Sequence, residues 1–393
     1  MLPFTLSNFS AVKKLSCTPQ LFNKLRYLHS SLNSTVTLPT KVVSRRQAFT
    51  KGNKSKPIFL STPGGCSNLI WNNAPRTVLL VKKPNDPKTE QKLSEMVRWI
   101  HETHPEINIV LEPSVARRLQ KEFPFVHVVP DGDLKEYERT VDFVVTLGGD
   151  GTIMHVSTLF CGPAPPVLSF SMGTLGFLIR HHIQDFEQAF EQMLHGNVSL
   201  LDRMRLTCSI HKADGERIVW KGTKTSDMLA MNEINVHRGR SPHLAKLDVQ
   251  VNGHDLTTGL SDGLLIATPT GSTAYSLSAG GSIVHPAVQT LLLTPICPRS
   301  LSFRPVLFPI DTSLKVKLST SSRGRADVSI DGRVICVLPK GGYVEVRTSQ
   351  YPVPCVNNPS EGNTWIRDIN QLLKWNQGFA TKTSILENNR IDL

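Results

Sequence analysis

Val144-Val145-Thr146-Leu147-Gly148-Gly149-Asp150-Gly151-Thr152 is an apolar run that ends in three glycines around one carboxylate. Val141 to Leu147 is β-branched and apolar, with Asp142 near its start, and reads as a buried strand. The glycines permit tight turning, and without Cβ atoms their N–H groups can approach an anion closely. From Thr152 on, Ile153, Met154, Val156 and Leu159 can open a helix, whose N-terminus also favours phosphate. Gly148, Gly149, Gly151 and Thr152 are therefore candidate phosphate ligands beside a fixed Asp150. The bland alternative is a tight strand-to-helix turn with a capping Asp.

The surrounding segments extend this pattern. A short strand at Val78 to Val81, a helix over 88–103, a strand at Ile107 to Leu111, a helix over 114–122 and a strand at Phe125 to Val129 precede it. A helix over 152–160, a strand at Val167 to Phe170 and a helix over 183–195 follow. Alternating strands and helices predict a Rossmann-like parallel sheet with helices on both faces. Ligands of such sheets sit at the carboxyl ends of the strands, where the glycine loop lies.

Beyond about residue 200 the segments become strand-like: Leu206 to His211, Leu229 to His237, Leu247 to Val251, Leu264 to Ala267, Leu314 to Leu318, Val328 to Ile330, Val334 to Leu338 and Tyr343 to Val346. They predict an all-β, sandwich-like second domain. Trp365, Ile366, Ile369, Leu372 and Leu373 share one face of a final amphipathic helix that can pack back on the first domain. The expected division is 1–75 as a processed or disordered extension, 76–200 as the α/β domain, 201–348 as the all-β domain and 349–393 as the segment with the returning helix.

Charge separates the first of these from the rest. The net charge of the 393 residues is +12, but residues 1–60 carry ten Lys/Arg and no acid, leaving about +2 elsewhere. The basic balance thus belongs to one end and not to a nucleic-acid-binding face. An acid-free end rich in Arg, Ser and Thr has the features of a mitochondrial transit peptide, and Arg26-Tyr27-Leu28-His29-Ser30 resembles a matrix-peptidase context. The other reading is a basic tail on a cytosolic protein. No apolar run has the length of a membrane span, and no membrane partner is expected. Seven scattered cysteines without a CxxC pair fit reduced thiols. His101-Glu102-Thr103-His104 misses the HExxH spacing by one residue and reads as a solvated helix end.

Four further segments carry chemistry. Asp262 to Gly281 runs from an apolar strand into TPTGSTAYSLSAGG, a loop of hydroxyls, open N–H groups and one aromatic ring, Tyr275, able to stack on a base. A polar, helix-capped turn is the alternative. Asn232-Glu233 lies inside the apolar run Met228 to Val236, where a buried polar pair needs partners, either a ribose diol or a neighbouring backbone. Gly173-Thr174-Leu175-Gly176-Phe177 is another glycine turn after a strand, and Thr294 to Pro305 is a Pro-locked wall.

In this order GGDGT, GTLGF, Asn232-Glu233, DGLLIATPTGSTAYSLSAGG and TPICPRSLSFRP resemble the NAD kinases over roughly residues 76–376. With the transit-like start, the chain is most similar to the fungal mitochondrial NADH kinases. Lipid kinases share GGDGT; the TPTGSTAYSLSAGG segment is far more specific. The resemblance implies transfer of the γ-phosphoryl of ATP to the 2′-hydroxyl of the adenosine ribose of NAD or NADH, with Mg²⁺ or another divalent metal. It implies Asp150 as proton acceptor, Asp150 and Gly151 as dinucleotide contacts, and Asn232 and Glu233 on the ribose hydroxyls and adenine. Thr273, Ala274, Tyr275, Ser276, Leu277 and Ser278 would surround the adenine and ribose, and Asp262 would meet the nicotinamide carboxamide. His243 and Arg333 fall on further contact positions. Asp150 is also the one candidate metal ligand. Leu260 stands where many bacterial relatives carry Arg and is left outside the site. The resemblance further implies a homo-oligomer, dimer or tetramer, assembled through the β domain, and the compartment expected is the mitochondrial matrix. A lipid or sphingoid kinase and a non-catalytic dinucleotide sensor are the alternatives.

Overall fold

The computed structural model describes residues 41–42, 55, 57–61, 66–130, 133–219, 227–357 and 364–376. The matrix-peptidase context at 26–30 lies outside them. In the first lobe the strands Thr77–Lys82, Asn108–Leu111, His127–Val128, Phe143–Leu147 and Val167–Ser171 are parallel. Numbered along the chain, their order in space is 3-2-1-4-5. Connections leave the sheet in opposite directions from Thr77–Lys82 and Phe143–Leu147, which makes a switch point between these neighbours. Both strands are buried along their whole length, as a parallel sheet covered on both faces requires. Asp142 fixes the entry to this pair: its carboxylate accepts the N–H groups of Ser55, Arg76 and Thr77 at 2.7, 2.7 and 2.9 Å.

The sheet extends further than its parallel core. Val353–Asn357 pairs beside Val167–Ser171, then Ser199–Arg203, Cys66–Trp71 and Pro57–Ser61 add antiparallel strands. Pro57–Ser61 and Cys66–Trp71, expected as linker, thus supply two strands to the first lobe, and the chain leaves this sheet after Arg203 and re-enters it at Val353. Trp71 shows why this strand pair stays: its indole N–H donates to Met193 O at 2.7 Å and its ring packs 6.4 Å from Phe143.

The second lobe is a sandwich of two antiparallel six-stranded sheets. Leu206, Cys208 and Ile210 from one sheet meet Ile234, Val236, Leu264 and Ile266 from the other in one buried cluster. Period-two alternation along Leu206–His211 supplies that face. The single strand expected over Leu229 to His237 is two strands. Met228–Ala230 belongs to one sheet and Glu233–His237 to the other. The chain crosses between sheets at Met231-Asn232, and the Asp331 carboxylate accepts the N–H groups of Met231, Asn232 and Glu233 at 2.8, 2.8 and 3.1 Å. The crossing is possible because one side chain satisfies three backbone donors that leave the ladder.

Arg205, fully buried where the chain passes between lobes, donates to Ser157, Phe160, Gly162 and Tyr351 carbonyls. Three of these lie at the C-terminal end of the Asp150–Leu159 helix, where a cation is favoured. The final helix, Thr364–Leu372, returns to the first lobe through Asp368, which pairs with Arg180. Its buried side carries Asp368 and Ile369, whereas Ile366 and Leu372 are exposed, so the expected five-residue apolar face is only partly covered.

Candidate functional site

Asp150 is the first residue of the Asp150–Leu159 helix, at the carboxyl edge of the sheet and at the switch point. It does not cap its own helix. The N-cap is Gly149, with no side-chain bond. Instead its carboxylate accepts Phe177 N–H at 3.1 Å and Leu178 N–H at 3.2 Å from the GTLGF turn. The capping alternative raised by the sequence is therefore replaced by a contact between two glycine motifs. Gly176 makes the approach possible: a Cβ there would sit 2.2 Å from Asp150 Oδ1. Gly148 is required in the same way, since a Cβ would lie 2.2 Å from Thr152 Oγ1. Gly149 and Gly151 are exposed with open space where a Cβ would point. The Gly148 N–H donates to Phe170 O at 3.0 Å and the Thr152 N–H to Gly149 O at 2.8 Å, so these two candidate phosphate donors are already engaged, whereas a helix start otherwise leaves its first N–H groups without intrahelical partners.

Burial raises the Asp150 carboxyl above its ordinary 3.8, opposed by the Leu178 and Phe177 N–H groups and by Arg203 and Arg180. Arg203, 2% exposed, ties this corner to the second lobe. Its Nη2 donates to Phe177 O at 3.0 Å and its Nη1 to Thr270 Oγ1 at 3.4 Å. Thr270 opens the hydroxyl loop, a 3₁₀ turn over Thr270–Thr273 followed by one helical turn over Tyr275–Ser278.

That loop is welded to the sheet crossing. Thr268 Oγ1 donates to Met231 O at 2.6 Å and accepts Gly271 N–H at 3.0 Å, and Thr268 N–H donates to Asn232 O at 2.9 Å. A Cβ on Gly271 would fall 2.1 Å from Asn232 O. Asn232 and Glu233 sit at this weld. Glu233 is buried, its Oε2 has no protein partner, and burial reinforced by Asp331 raises its carboxyl to about 7. Thr273 and Ala274 are half-buried and Tyr275 is 42% exposed, its ring accessible to a base. Leu277 is half-buried and Ser278 exposed. Ser276 differs: it is fully buried and its hydroxyl bonds Thr294 at 3.0 Å. Ser276 thus anchors the loop, whereas Tyr275 and Ser278 are exposed.

Two sequence-predicted positions lie elsewhere. Glu233 pairs with Ala267, whereas His237 pairs with Gly263, so Asp262 follows the opposite end of the same strand pair, four residues or about 13 Å along. There Asp262 accepts Arg238 Nε at 2.5 Å, and exposed His243 donates its N–H to Ser241 Oγ at 3.4 Å. Arg333 is exposed beside Asp331, on the wall of a cavity of about 170 Å³ that Met154 and Met228 also line.

Sequence reading missed Gly176, Arg180, Arg203, Asp331 and Asp368 as parts of this site. Gly176 belongs to GTLGF, but nothing local shows that it must admit the Asp150 carboxylate. Asp331-Gly332 is a turn signal whose reach, 98 residues or more back to the crossing, no local pattern discloses. Among the described residues no group of three or more His, Cys, Asp or Glu could hold a metal ion, and six cysteines are free thiols. His104 is part-buried and bonds Glu191 at 2.8 Å, which corrects the expected solvated end.

The model of the ATP-NAD kinase N-terminal domain matches residues 78–198, and that of the ATP-NAD kinase C-terminal domain matches residues 231–358. The chain is 41% identical over 325 residues to the mitochondrial NADH kinase pos5 of Schizosaccharomyces pombe, with 81% of each covered. It is 35% identical over 364 residues to the mitochondrial NADH kinase POS5 of Saccharomyces cerevisiae, with 82% of this chain and 86% of that one covered. The crystal structure of yeast NADH kinase complexed with NADH superposes with a TM-score of 0.74 at 38% identity, over 84% of this chain and 96% of that one. An NAD kinase from Archaeoglobus fulgidus in complex with ATP, 20% identical, shares the fold with a TM-score of 0.54, over 75% of this chain and 98% of that one. Matched by both domain models and by these full-length relatives, the chain belongs to the NAD kinase family.

Proposed function

We propose that this protein is an ATP-dependent NAD(H) kinase that phosphorylates the 2′-hydroxyl of the adenosine ribose, yielding NADPH or NADP. The observation that carries the reading is the single network joining Asp150 to Phe177, Arg203, Thr270 and the Asn232–Glu233 crossing. It supports a reading with a phosphate-cradling helix start and a polar nucleoside pocket on either side of one carboxylate.

The chemistry is phosphoryl transfer, in which positioning and charge neutralisation outweigh covalent catalysis. The 2′-oxygen forms a bond to the γ-phosphorus, the bond to the β–γ bridging oxygen breaks, and ADP leaves. The hydroxyl proton passes to Asp150, whose burial makes it a stronger base than an exposed Asp. Gly149 to Gly151 supply N–H donors and the positive end of a helix dipole to the triphosphate. Glu233, with an unpartnered buried oxygen, fits a ribose hydroxyl or adenine amino group. A divalent metal, when bound with ATP, neutralises charge on the transferring group. Mg²⁺ commonly uses one or two protein carboxylates plus substrate phosphates, and Asp150 fits that single-carboxylate role.

The assembly proposed is a homo-oligomer through the β domain. His254–Ser261 and Val306–Pro309 are terminal strands of the two sheets and expose Leu256, Leu260, Val306 and Leu307. Apolar strand edges of this kind invite pairing. Asp262 directly follows the first of them, so its carboxylate and His243 are available to the dinucleotide of a neighbouring copy. The compartment proposed is the mitochondrial matrix, supported by the acid-free residues 1–60 and the mitochondrial relatives.

Incubating the purified protein with ATP and Mg²⁺ and, in parallel, NADH, NAD or diacylglycerol tests the function. The expected result is a 2′-phosphorylated dinucleotide and unmodified lipid. Phosphorylated lipid, or dinucleotide binding with no ATP turnover, would replace the reading with one of its alternatives.

A further inference from the structure

The support of Asp150 continues to the far end of the chain. Phe177 O and Leu178 N–H belong to one peptide unit. The N–H donates to Asp150, while the carbonyl receives Arg180 Nη2 at 3.2 Å and Arg203 Nη2 at 3.0 Å. Two guanidinium groups thus hold one end of a peptide whose other end aims the carboxylate. Arg203 is braced by Thr270. Arg180 is braced by Asp368 of the Thr364–Leu372 helix, and the side chains of this pair are 4% and 6% exposed. The same helix reaches the second lobe, where Trp365 meets His285 edge-on at 4.8 Å, in the loop after TPTGSTAYSLSAGG.

We infer that Asp368 is a positioning residue for phosphoryl transfer: by fixing Arg180 it locks the Phe177–Leu178 peptide and so aims Asp150. The inference rests on Asp150 being the proton acceptor. Arg180 is buried near a second cation, Arg203, and a buried cation requires a counter-charge. With Asp368 neutralised, Asp150 is a carboxylate that still acts on both arginines. Arg180 then turns toward Asp150, the peptide loses one of its two anchors, and the proton acceptor is drawn into an ion pair. Asp368 is buried against Arg180, so the loss is expected in turnover, with both nucleotide sites still formed.

The test compares full-length Asp368→Asn and Asp368→Glu with the wild type by kcat, KM for NADH, KM for ATP and thermal midpoint. Asp368→Asn is expected to lower kcat by roughly 10- to 100-fold, the range of a small misplacement of a catalytic group, with both KM values within about threefold. Asp368→Glu restores most of the turnover. In an Asp150→Asn background, Asp368→Asn adds no further loss, because coupled residues are not additive. Wild-type kcat in folded Asp368→Asn, or the same fold loss in both backgrounds, overturns the inference. Arg180→Gln removes the lock from the other side and is read against the same outcomes should Asp368→Asn fold poorly. If Asp150→Asn itself keeps full turnover, the proton-acceptor reading fails first; if it is inactive while Asp368→Asn and Arg180→Gln are normal, only the lock fails.

Discussion

Gly176→Ala isolates the placement of Asp150 without touching its chemistry. Gly176 is absent from the residues with positive φ, so alanine meets no backbone penalty there. Its Cβ would lie 2.2 Å from Asp150 Oδ1 and 2.7 Å from Oδ2. Ordinary non-bonded contact is roughly 3.5 Å, so the carboxylate must retreat by on the order of 1 Å. A retreat of that size breaks the bonds from Phe177 and Leu178 N–H, and a catalytic group misplaced by about 1 Å loses about 100-fold in rate. The nearest atoms to that Cβ all belong to Asp150 and none to Asn232, Glu233 or the Thr270–Ser278 loop, so the effect is expected in kcat and not in KM for NADH. Gly173→Ala is the control: it lies at the other end of the same turn, and its Cβ meets nothing within 4 Å. The assay is initial-rate formation of the phosphorylated dinucleotide, separated chromatographically, with thermal midpoints for both variants. Turnover of Gly176→Ala within about fivefold of Gly173→Ala would refute the placement of Asp150 against this loop.

Glu233 links the site to stability. Its carboxyl rises from an ordinary 4.5 to about 7, so the folded protein holds the proton more tightly than the unfolded chain. The stability this contributes is full below about pH 4.5 and lost as pH rises through about 7, at most about 3 kcal/mol. Glu233→Gln should therefore gain stability relative to the wild type between pH 5 and 8 in denaturant titrations; a difference independent of pH contradicts this. Arg205→Met leaves carbonyls of Ser157, Phe160, Gly162 and Tyr351 without their guanidinium donor, and should cost about 3–5 kcal/mol; a loss under about 1 kcal/mol would show that other groups replace it. Mixing inactive Asp150→Asn with Asp262→Ala under subunit exchange should recover activity that neither has alone, if Asp262 serves a neighbouring copy. No recovery in verified mixed oligomers removes that role.

The parallel sheet was legible because its strands are uninterrupted apolar runs, and Phe143–Leu147 is buried at every position. The sandwich was legible where alternation is regular, as along Leu206–His211. It was misread at Leu229 to His237, because Asp331 supplies from far along the chain what makes the crossing possible. The strand pair Pro57–Ser61 and Cys66–Trp71 was hidden by neighbouring turn residues and by an anchor, Met193 O, that no local pattern reveals. Within the candidate site, the residues expected to meet a ligand are concentrated in GGDGT, Asn232-Glu233 and TPTGSTAYSLSAGG, whereas those that hold them are dispersed. Arg180, Arg203 and Asp368 are ordinary charged residues in sequence, and only burial beside Asp150 gives them meaning.

The most direct measurement is transfer of label from γ-labelled ATP to NADH by the wild type and by Asp150→Asn, both shown to be folded and to bind NADH. The account predicts label at the 2′-position of the adenosine ribose with the wild type and a loss of most transfer in the variant. Label elsewhere on the dinucleotide, no labelled dinucleotide with the wild type, or undiminished transfer by Asp150→Asn would contradict it.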